Sequence, residues 1–584
     1  MNDIKISLIA PPFSTYLRLH LGIPVLTAYL RSKGINVSVW DANIDFLNFM
    51  LSPDKVKTGK NFLENRFLEL NEKKLLIPDE KSEYNWYRTV LNEAESIPDE
   101  RRKYLYDINR YKSPDYNPYV SNDIETALHY STAQSYPERF LHSDINYFYN
   151  GIYSPYSTTD IISSVKENNV FSDFFEKYIH DFLEREKPDI IGFSVTFAGQ
   201  VTAVFTCANI IKKIAPDIHI TLGGSWISAT MPKLENTKLF DIVDSMIIDD
   251  GEIPLELLAK ELSKDKPDFN NVPGTIYLKN GQITKVPPEK PLDIESLPPP
   301  DYSDFPLEKY PIVKNLISVN LRSSRGCNWR KCIFCPHQLN VTCNHQLSSA
   351  EYVFNCLEHV SEQTGCSHFS FVEEASNINT LENLAQIINN SKQNIYWTTS
   401  IRLDRSITLD RCMQFKKSGC RMLYFGIETY NDRLLKYIGK GLDKKTINYA
   451  LSNIAWSGIN SMAYMMVGLP TETEKEAVDS YKEIKNLKDK GLLKYYVYSS
   501  LNILPGSEIY NNPEKYGIKI LFNSCKADLP YPGYNFEGTP ISRSRAYELS
   551  KKFTLSIFIN PYLNSKNTVN IGGKDIPVKH GINI

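Results

Sequence analysis

Along the first part of the chain, short apolar runs alternate with segments in which apolar residues recur every three or four positions. Apolar runs between turn signals are typical of buried strands, and the longer repeat is typical of helices that face a core. The predicted strands are Ile4–Ala10, Ile35–Trp40, Asp189–Val195, Ile218–Leu222 and Asp244–Ile248, with helices such as Leu21–Lys33 and Phe171–Glu186 between them. This alternation predicts a doubly wound parallel sheet that binds ligands at the carboxyl ends of its strands.

A second run of strand and helix patterns follows the first. Its predicted strands are Leu316–Arg322, His368–Val372, Ile395–Ile401, Arg421–Gly426, Ser461–Gly468 and Tyr495–Ile503. Strands and helices in this order predict a partial, open (β/α)6 barrel, which keeps its chemistry at the carboxyl ends of the strands. The predicted fold class is therefore α/β, with a Rossmann-like sheet followed by a barrel.

Two segments depart from these patterns. Residues from about 51 to 170 are rich in Tyr and in charged or amide side chains, and their weak periodicity predicts an insertion with short helices. A Pro-rich segment, 287–315, predicts a semi-rigid linker. The predicted domains are then 1–286, with the insertion, and a barrel over 316–520, followed by a C-terminal extension over 521–584. We expect the two domains to have separate cores.

Three cysteines, Cys327, Cys332 and Cys335, follow the first barrel strand with the spacing C-x4-C-x2-C. Three thiolates from one short loop can hold three irons of a [4Fe–4S] cluster and leave the fourth iron open to a small molecule. A Cys3His zinc site that includes His337 is the alternative. Five other cysteines lie in apolar patterns, which predicts small core residues: Cys207, Cys356, Cys366, Cys412 and Cys420.

The cysteine loop and the strand ends that follow it resemble the radical SAM superfamily. The resemblance implies that S-adenosylmethionine (SAM) binds the open iron and is cleaved to a 5′-deoxyadenosyl radical, with an electron from a donor such as flavodoxin or ferredoxin. The commonest family spacing, C-x3-C-x2-C, is one residue shorter than the spacing here. By position, the resemblance implies SAM contacts from Phe334, Glu373, Glu374, Ser400, Arg402, Glu428 and Gly468.

The N-terminal domain resembles the cobalamin-binding domain that precedes the radical SAM core in one subfamily. The matching stretches are Pro11-Pro12, Ile191-Gly192-Phe193-Ser194, Leu222-Gly223-Gly224 and Asp250-Gly251-Glu252-Ile253-Pro254. The resemblance implies that Gly223 and Gly224 let the nucleotide tail of cobalamin approach the backbone, and that Ser194 and Thr196 bond to it. The D-x-H-x-x-G signature that carries a cobalt ligand is absent, so we expect no histidine on cobalt, His20 included. A domain that has lost its cofactor is the alternative.

Composition adds limits on partners and location. The 584 residues are 42% hydrophobic and 23% charged, which are globular values. A net charge of −2 gives no electrostatic case for a nucleic-acid partner. No apolar run approaches the roughly 18–20 residues that span a bilayer, and the chain opens directly on a strand-like segment, so we expect a cytoplasmic protein without a membrane partner.

These patterns and resemblances together predict an enzyme, a cobalamin-dependent radical SAM enzyme that methylates an unactivated carbon of a small molecule or peptide. Oxidation, cyclisation or rearrangement by the same two domains is the alternative enzymatic hypothesis. A cobalamin or redox sensor is the non-enzymatic hypothesis.

Overall fold

The computed structural model describes residues 4–106, 120–142, 147–311, 317–336, 345–522, 527–558 and 568–580. Two seven-stranded sheets organise the chain. Their strands, numbered in chain order, are β1 Lys5–Ala10, β2 Arg18–Leu19, β3 Asn36–Asp41, β4 Ile190–Ser194, β5 His219–Gly223, β6 Ser245–Ile247, β7 Thr275–Lys279, β8 Gln282–Lys285, β9 Ser318–Leu321, β10 His368–Ser376, β11 Tyr396–Ile401, β12 Cys420–Glu428, β13 Asn460–Val467 and β14 Tyr495–Ser500.

Helices cover both sheets. The longer ones are Gly22–Ser32, Ala42–Met50, Pro53–Glu72, Pro78–Ser96, Val120–Ser131, Ser172–Glu186, Val201–Ile214, Glu252–Leu262, Ala350–Thr364, Ile378–Asn390, Leu409–Lys417, Lys444–Trp456, Glu474–Asp489 and Arg543–Phe558. The shorter ones are Asp99–Arg102, Thr158–Ser164, Ser225–Thr230, Asp432–Tyr437 and Glu508–Asn511. Barrel helices begin where a side-chain oxygen accepts a free backbone N–H of the first turn, at Ser349, Asn377, Thr408, Asp443 and Thr473.

The first sheet has the order β8-β7-β6-β5-β4-β1-β3. Strands β3, β1, β4, β5 and β6 are parallel, as predicted, and the antiparallel pair β7 and β8 extends one edge. The chain crosses from one side of β1 to the other between β3 and β4. That reversal is the switch point at which open α/β sheets form a ligand crevice.

The second sheet has the order β14-β13-β12-β11-β10-β9-β2 and is parallel throughout. Six of its strands are those predicted for the barrel. The seventh, β2, comes from the N-terminal segment and pairs Arg18 with Ser318 and Leu19 with Val319. Strand β10 also continues past its predicted end at Val372 to Ser376, with an irregular register against β11 after Phe371.

One contiguous apolar core joins the two sheets, so the expectation of separate cores is wrong. It includes buried apolar residues of β1, β2, β9 and β10. The predicted linker contributes to this continuity, because two of its tyrosines are buried between the domains. Tyr302 donates to the carbonyl of Asn320 on β9 at 2.6 Å, and Tyr310 donates to Asp41 of β3 at 2.5 Å.

The Tyr-rich insertion and the C-terminal extension contact each other. The side-chain amide of Asn71, at the end of one insertion helix, donates to the carbonyl of Pro577 at 3.0 Å. Its oxygen accepts from the Tyr84 hydroxyl at 2.7 Å and from the Lys579 N–H at 3.0 Å. Further short strand pairs are Arg139–His142 with Tyr147–Asn150, Ser324–Arg325 with Gln346–Leu347, Lys519–Leu521 with Asn535–Glu537, and Thr568–Ile571 with Lys574–Pro577. Among the described residues, no helix is long and apolar enough to cross a membrane.

Candidate functional site

A cavity of about 1230 Å³ is lined by both sheets. The loops after β1, β4, β5 and β6 form one wall, at the switch point of the first sheet, and the ends of β9 and β10 contribute to the other. Pockets for drug-sized ligands are about 300–1,000 Å³. The space is therefore large enough for a bulky cofactor, and it also borders the barrel.

All four residues predicted to contact cobalamin, Ser194, Thr196, Gly223 and Gly224, line this cavity. Gly223 and Gly224 differ in whether the surrounding backbone leaves room for a side chain. Gly224 has φ +102°, and a Cβ there would lie 2.5 Å from the carbonyl oxygen of Val195, so the backbone packing itself demands glycine. A Cβ at Gly223 would meet no atom closer than 3.8 Å. Gly223 is therefore the position at which a side chain would occupy open space.

His20 also lies in the wall of the cavity. Its Nε2 is 2.8 Å from Oγ1 of Thr196, and its Nδ1 is buried without a hydrogen-bond partner. Burial lowers the pKa of His20 to about 4, so the ring is neutral at pH 7. The sequence identified this histidine only as the imidazole of the first loop, because its neighbours in the cavity are distant along the chain.

The three cysteines of the loop after β9 are partly exposed, whereas Cys207, Cys356, Cys366, Cys412 and Cys420 are buried, as predicted. Two glycines hold this loop against the barrel. Gly326 donates its N–H to Glu374 at 3.0 Å, and Gly439 has no room for a Cβ, which would lie 2.2 Å from the carbonyl oxygen of Lys331. The carbonyl of Gly439 also accepts the indole N–H of Trp329 at 2.7 Å.

Electrostatics around the cysteines suit an anionic cluster. Burial raises the pKa of the Cys332 thiol to about 11, and the nearby charges of Lys440 and Arg402 act in the opposite direction. Burial lowers the pKa of Arg402, and the charges of Cys332 and Cys327 act in the opposite direction. No three His, Cys, Asp or Glu side chains in the described ranges converge on a single metal ion. A cubane cluster has its irons at separate corners, so its three thiolates bind at separate points. His337, the alternative zinc ligand, lies outside the described residues.

The adjacent carboxylates Glu373 and Glu374 point to opposite sides of β10, as successive strand residues do. Glu374 lines the cavity, but the buried Glu373 does not. The carboxylate of Glu373 accepts from the N–H of Ser323 at 3.1 Å and from the hydroxyls of Ser323 and Ser376. Glu373 and Glu374 both stay predicted SAM contacts, and they differ in their surroundings. Glu373 supports the start of the cysteine loop, and Glu374 faces the cavity.

Arg402 and Glu428 lie beside the cysteine loop, and both are engaged by protein groups. The guanidinium of Arg402 stacks on the ring of Trp329, 4.1 Å from its centre, and donates to the carbonyl of Lys440 at 2.8 Å. Oε1 of Glu428 is 2.8 Å from Nζ of Lys440, and both side chains are nearly buried. Burial alone would lower the pKa of Lys440, but Glu428 outweighs it and the net shift is upward.

Three further predicted SAM positions surround the same region. Ser400 lies half-buried on β11 opposite Tyr424. Phe334 packs against a small apolar cluster that includes Ile438 and Leu469. Gly468 has φ +88°, and a Cβ there would lie 2.8 Å from that of Ala546 in the C-terminal helix. The C-terminal extension therefore packs directly on the turn at Gly468, a predicted SAM position.

Lys440 and Trp329 complete this part of the site, and neither was predicted from the sequence. Lys440 stands between Gly439 and Gly441, which have φ of +69° and +67°. A Cβ at Gly441 would lie 2.1 Å from the Trp329 ring. A lysine flanked by two glycines in Gly439-Lys440-Gly441 is the signal that could have identified a close backbone approach at this position.

Residues 321–484 match the family model of the radical SAM superfamily. This part of the chain is a radical SAM domain. A curated relative is an uncharacterized methyltransferase of Pyrococcus horikoshii, 26% identical over 354 residues, which are 60% of this chain and 73% of the relative.

The similarity to solved structures covers the N-terminal half of the chain as well as the radical SAM domain. The cobalamin-dependent radical SAM enzyme OxsB, solved with aqua-cobalamin and SAM bound, matches with a TM-score of 0.58 and 14% identity over 97% of this chain and 70% of OxsB. The radical SAM methyltransferase TsrM of Kitasatospora setae, solved with cobalamin and a [4Fe-4S] cluster, gives 0.52 and 14% identity over 89% and 81%. The chain therefore has the two-part fold of these enzymes.

Proposed function

We propose that the protein is a cobalamin-dependent radical SAM enzyme that methylates an unactivated carbon of a small molecule or peptide. One observation carries the proposal: a single cavity borders both the switch point of the first sheet and the strand ends of the radical SAM domain. An enzyme that activates a substrate with one cofactor and would methylate it from another must hold both cofactors beside that substrate.

The cofactors would divide the cavity between them. Cys327, Cys332 and Cys335 would hold the cluster, and Ser194, Thr196 and Gly223 would contact cobalamin at the other wall. When bound, the cluster and SAM supply a 5′-deoxyadenosyl radical, and cobalamin supplies a methyl group. A donor such as flavodoxin or ferredoxin would reduce the cluster. The names of the P. horikoshii relative and of TsrM support methyl transfer over the other radical chemistries.

The residues of this chain would bind SAM, orient it relative to the cluster and shield the site from water. Glu374 is exposed in the cavity wall and already accepts a hydrogen bond from the cysteine loop, so it can fix SAM relative to the cluster. The stacked pair of Arg402 and Trp329 places a cation beside the loop. The C-terminal helix packs on the turn at Gly468 and would help to exclude water from that part of the SAM site.

The first test reconstitutes the protein anaerobically with iron, sulfide and hydroxocobalamin. We expect about four irons and one corrin per chain, and release of 5′-deoxyadenosine from SAM under reduction. The triple variant C327A/C332A/C335A should lose the cluster and SAM cleavage. If that variant kept a full cluster, the assignment of the cysteine loop would fail.

The second test addresses the corrin separately. Gly223→Trp should place an indole in the part of the cavity assigned to cobalamin and lose the corrin while the iron content stays unchanged, because Gly223 has space for a side chain. His20→Ala should leave the corrin spectrum unchanged if no histidine binds cobalt. Wild-type protein without corrin after desalting would refute methyl transfer, and the chain would then be a radical SAM enzyme with a vestigial N-terminal domain.

The third test addresses SAM. Charge-assisted hydrogen bonds contribute about 1.5–3 kcal/mol each, so Arg402→Ala and Glu428→Gln should each weaken SAM binding by roughly 10-fold or more and spare the iron. Glutamine at 428 preserves the shape beside Lys440 better than alanine does. Unchanged SAM affinity in both variants would show that these strand ends do not bind SAM.

A further inference from the structure

The interior of the barrel contains a guanidinium that the N-terminal segment supplies. Arg18 belongs to β2, the edge strand that pairs with β9. Its neighbour Leu19 is fully buried in the common core. Successive strand residues face opposite sides, so the side chain of Arg18 projects into the barrel, on the face of β9 that carries Ser318 and Asn320.

Arg18 reaches across the barrel to hydroxyl groups. Its Nη1 is 3.5 Å from Oγ of Ser370 on β10, and its Nη2 is 3.5 Å from the hydroxyl of Tyr424 on β12. Between them, Thr398 on β11 donates to Oγ of Ser370 at 3.3 Å. Distances of 3.5 Å lie beyond the usual range of N–H···O hydrogen bonds, so these contacts satisfy the guanidinium only weakly.

No carboxylate of the described chain neutralises Arg18 by an ion pair within 4 Å. Two other cations of the two domains have carboxylate partners: Arg325 lies 3.0 Å from Glu252, and Lys440 lies 2.8 Å from Glu428. The neighbouring tyrosine Tyr464 is not an anion either, because burial raises its pKa to about 12 although Arg18 acts in the opposite direction. A half-buried charge without a counter-charge is costly, unless a ligand supplies the anion.

Arg18 and the cysteine loop lie at opposite ends of β9. Arg18 pairs with Ser318, the first residue of that strand, whereas the cysteine loop follows the last one. The backbone of Arg18 is therefore at the amino end of the strand, and its side chain lines the same cavity as Glu374. A small molecule anchored at Arg18 would direct its other end toward the strand ends at which SAM is proposed to bind.

We propose that Arg18, with the hydroxyls of Ser370, Thr398 and Tyr424, binds a carboxylate or phosphate group of the substrate inside the barrel. A guanidinium presents paired N–H donors that match both oxyanions, and hydroxyls add further donors. The substrate class is then an anionic small molecule or peptide. The inference rests on the proposed function only where it calls the bound molecule a substrate. The contacts of Arg18 support an anion site independently of that function.

The test measures how fast phenylglyoxal modifies Arg18 in the cluster- and corrin-loaded protein, by peptide mass spectrometry. Inorganic phosphate and acetate are the probes, and each slows labelling only if it binds the guanidinium. An anion at twice its dissociation constant should slow labelling about threefold. Arg405, an exposed guanidinium stacked on Tyr449, is the matched control and should not be protected. The ratio of protection by the two probes distinguishes phosphate from carboxylate recognition.

Three results would overturn the proposal. One is the absence of labelling at Arg18, or labelling that neither anion slows. Another is protection by SAM alone equal to that by the anions, which would assign the guanidinium to the carboxylate of SAM. The third is a fall of more than about 3 °C in the thermal midpoint of Arg18→Gln, which corresponds to several kcal/mol and would mark a structural role. Arg18→Gln should keep the iron, corrin and SAM affinity of the wild type, so failure of the proposed function is measured separately.

Discussion

Replacement of Lys440 by methionine should lower the thermal midpoint of the cluster-loaded protein by about 2–4 °C. Lys440 and Glu428 form an ion pair of 2.8 Å with side chains that are 12% and 10% exposed. Removing one member of a buried pair costs about 3–5 kcal/mol, because the other charge is left without compensation. Screening is weak at this exposure, so the full range applies.

The size of the chain sets the conversion to temperature. Unfolding entropy is about 2.1 cal/mol/K per residue, so for a chain of 584 residues each kcal/mol lowers the midpoint by about 0.8 °C. The conversion assumes one cooperative transition, which the contiguous core of the two sheets supports. Circular dichroism of anaerobic samples at one scan rate measures the midpoint.

A double-mutant cycle separates the pair from other effects. Lys440→Met and Glu428→Gln should each lower the midpoint, and the double variant should fall by clearly less than the two together, because it leaves no unpaired charge. Lys445→Met, at a nearby exposed lysine, should change stability by less than about 0.5 kcal/mol. A double variant whose shift equals the sum of the single shifts would refute the reasoning, since the two groups would then not interact.

The other predictions concern the supports of the site and its pH dependence. Glu373→Ala should reduce the iron retained after desalting and cost about 3 kcal/mol or more, because it leaves the buried Ser323 N–H without an acceptor; iron content equal to that of the wild type would contradict this. Gly441→Ala should displace Trp329 and lower the midpoint by about 1–3 °C, and an unchanged midpoint would argue against the close contact. Burial raises the pKa of Asp41 to about 6. The stability that its bound proton contributes is therefore fully present below about pH 4 and is lost as the pH rises through 6. Relative to Asp41→Asn, the wild type should therefore lose stability between pH 5 and 7 in thermal scans, and a constant difference would show that Asp41 does not titrate there.

The strands of both sheets could be predicted because each is an apolar run between turn signals, a pattern set by local burial. Strand β2 could not be predicted in this way. It has only two residues, and its pairing with β9 depends on a contact between Leu19 and Val319 that are 300 positions apart. Side-chain pattern alone carries no information about such a partner.

At the site, the cysteines were predicted by spacing, and the strand-end residues by resemblance. Of the adjacent pair Glu373 and Glu374, only Glu374 lines the cavity, because successive residues of a strand face opposite sides. Lys440 was missed because its role depends on Glu428, which lies on a different element. Arg18 was missed for a similar reason, as its hydroxyl neighbours come from three separate strands.

The edge position of β2 has a consequence for dividing the chain. A shortened protein that begins at the radical SAM domain would present β9 as a bare edge strand, with unpaired N–H and C=O groups that invite pairing with another molecule. An isolated N-terminal half would in turn expose Leu19, which is now fully covered. Exchange of the N-terminal half for that of a relative would remove a strand from the barrel along with the cofactor domain. The two halves should therefore be inherited, expressed and engineered as one unit.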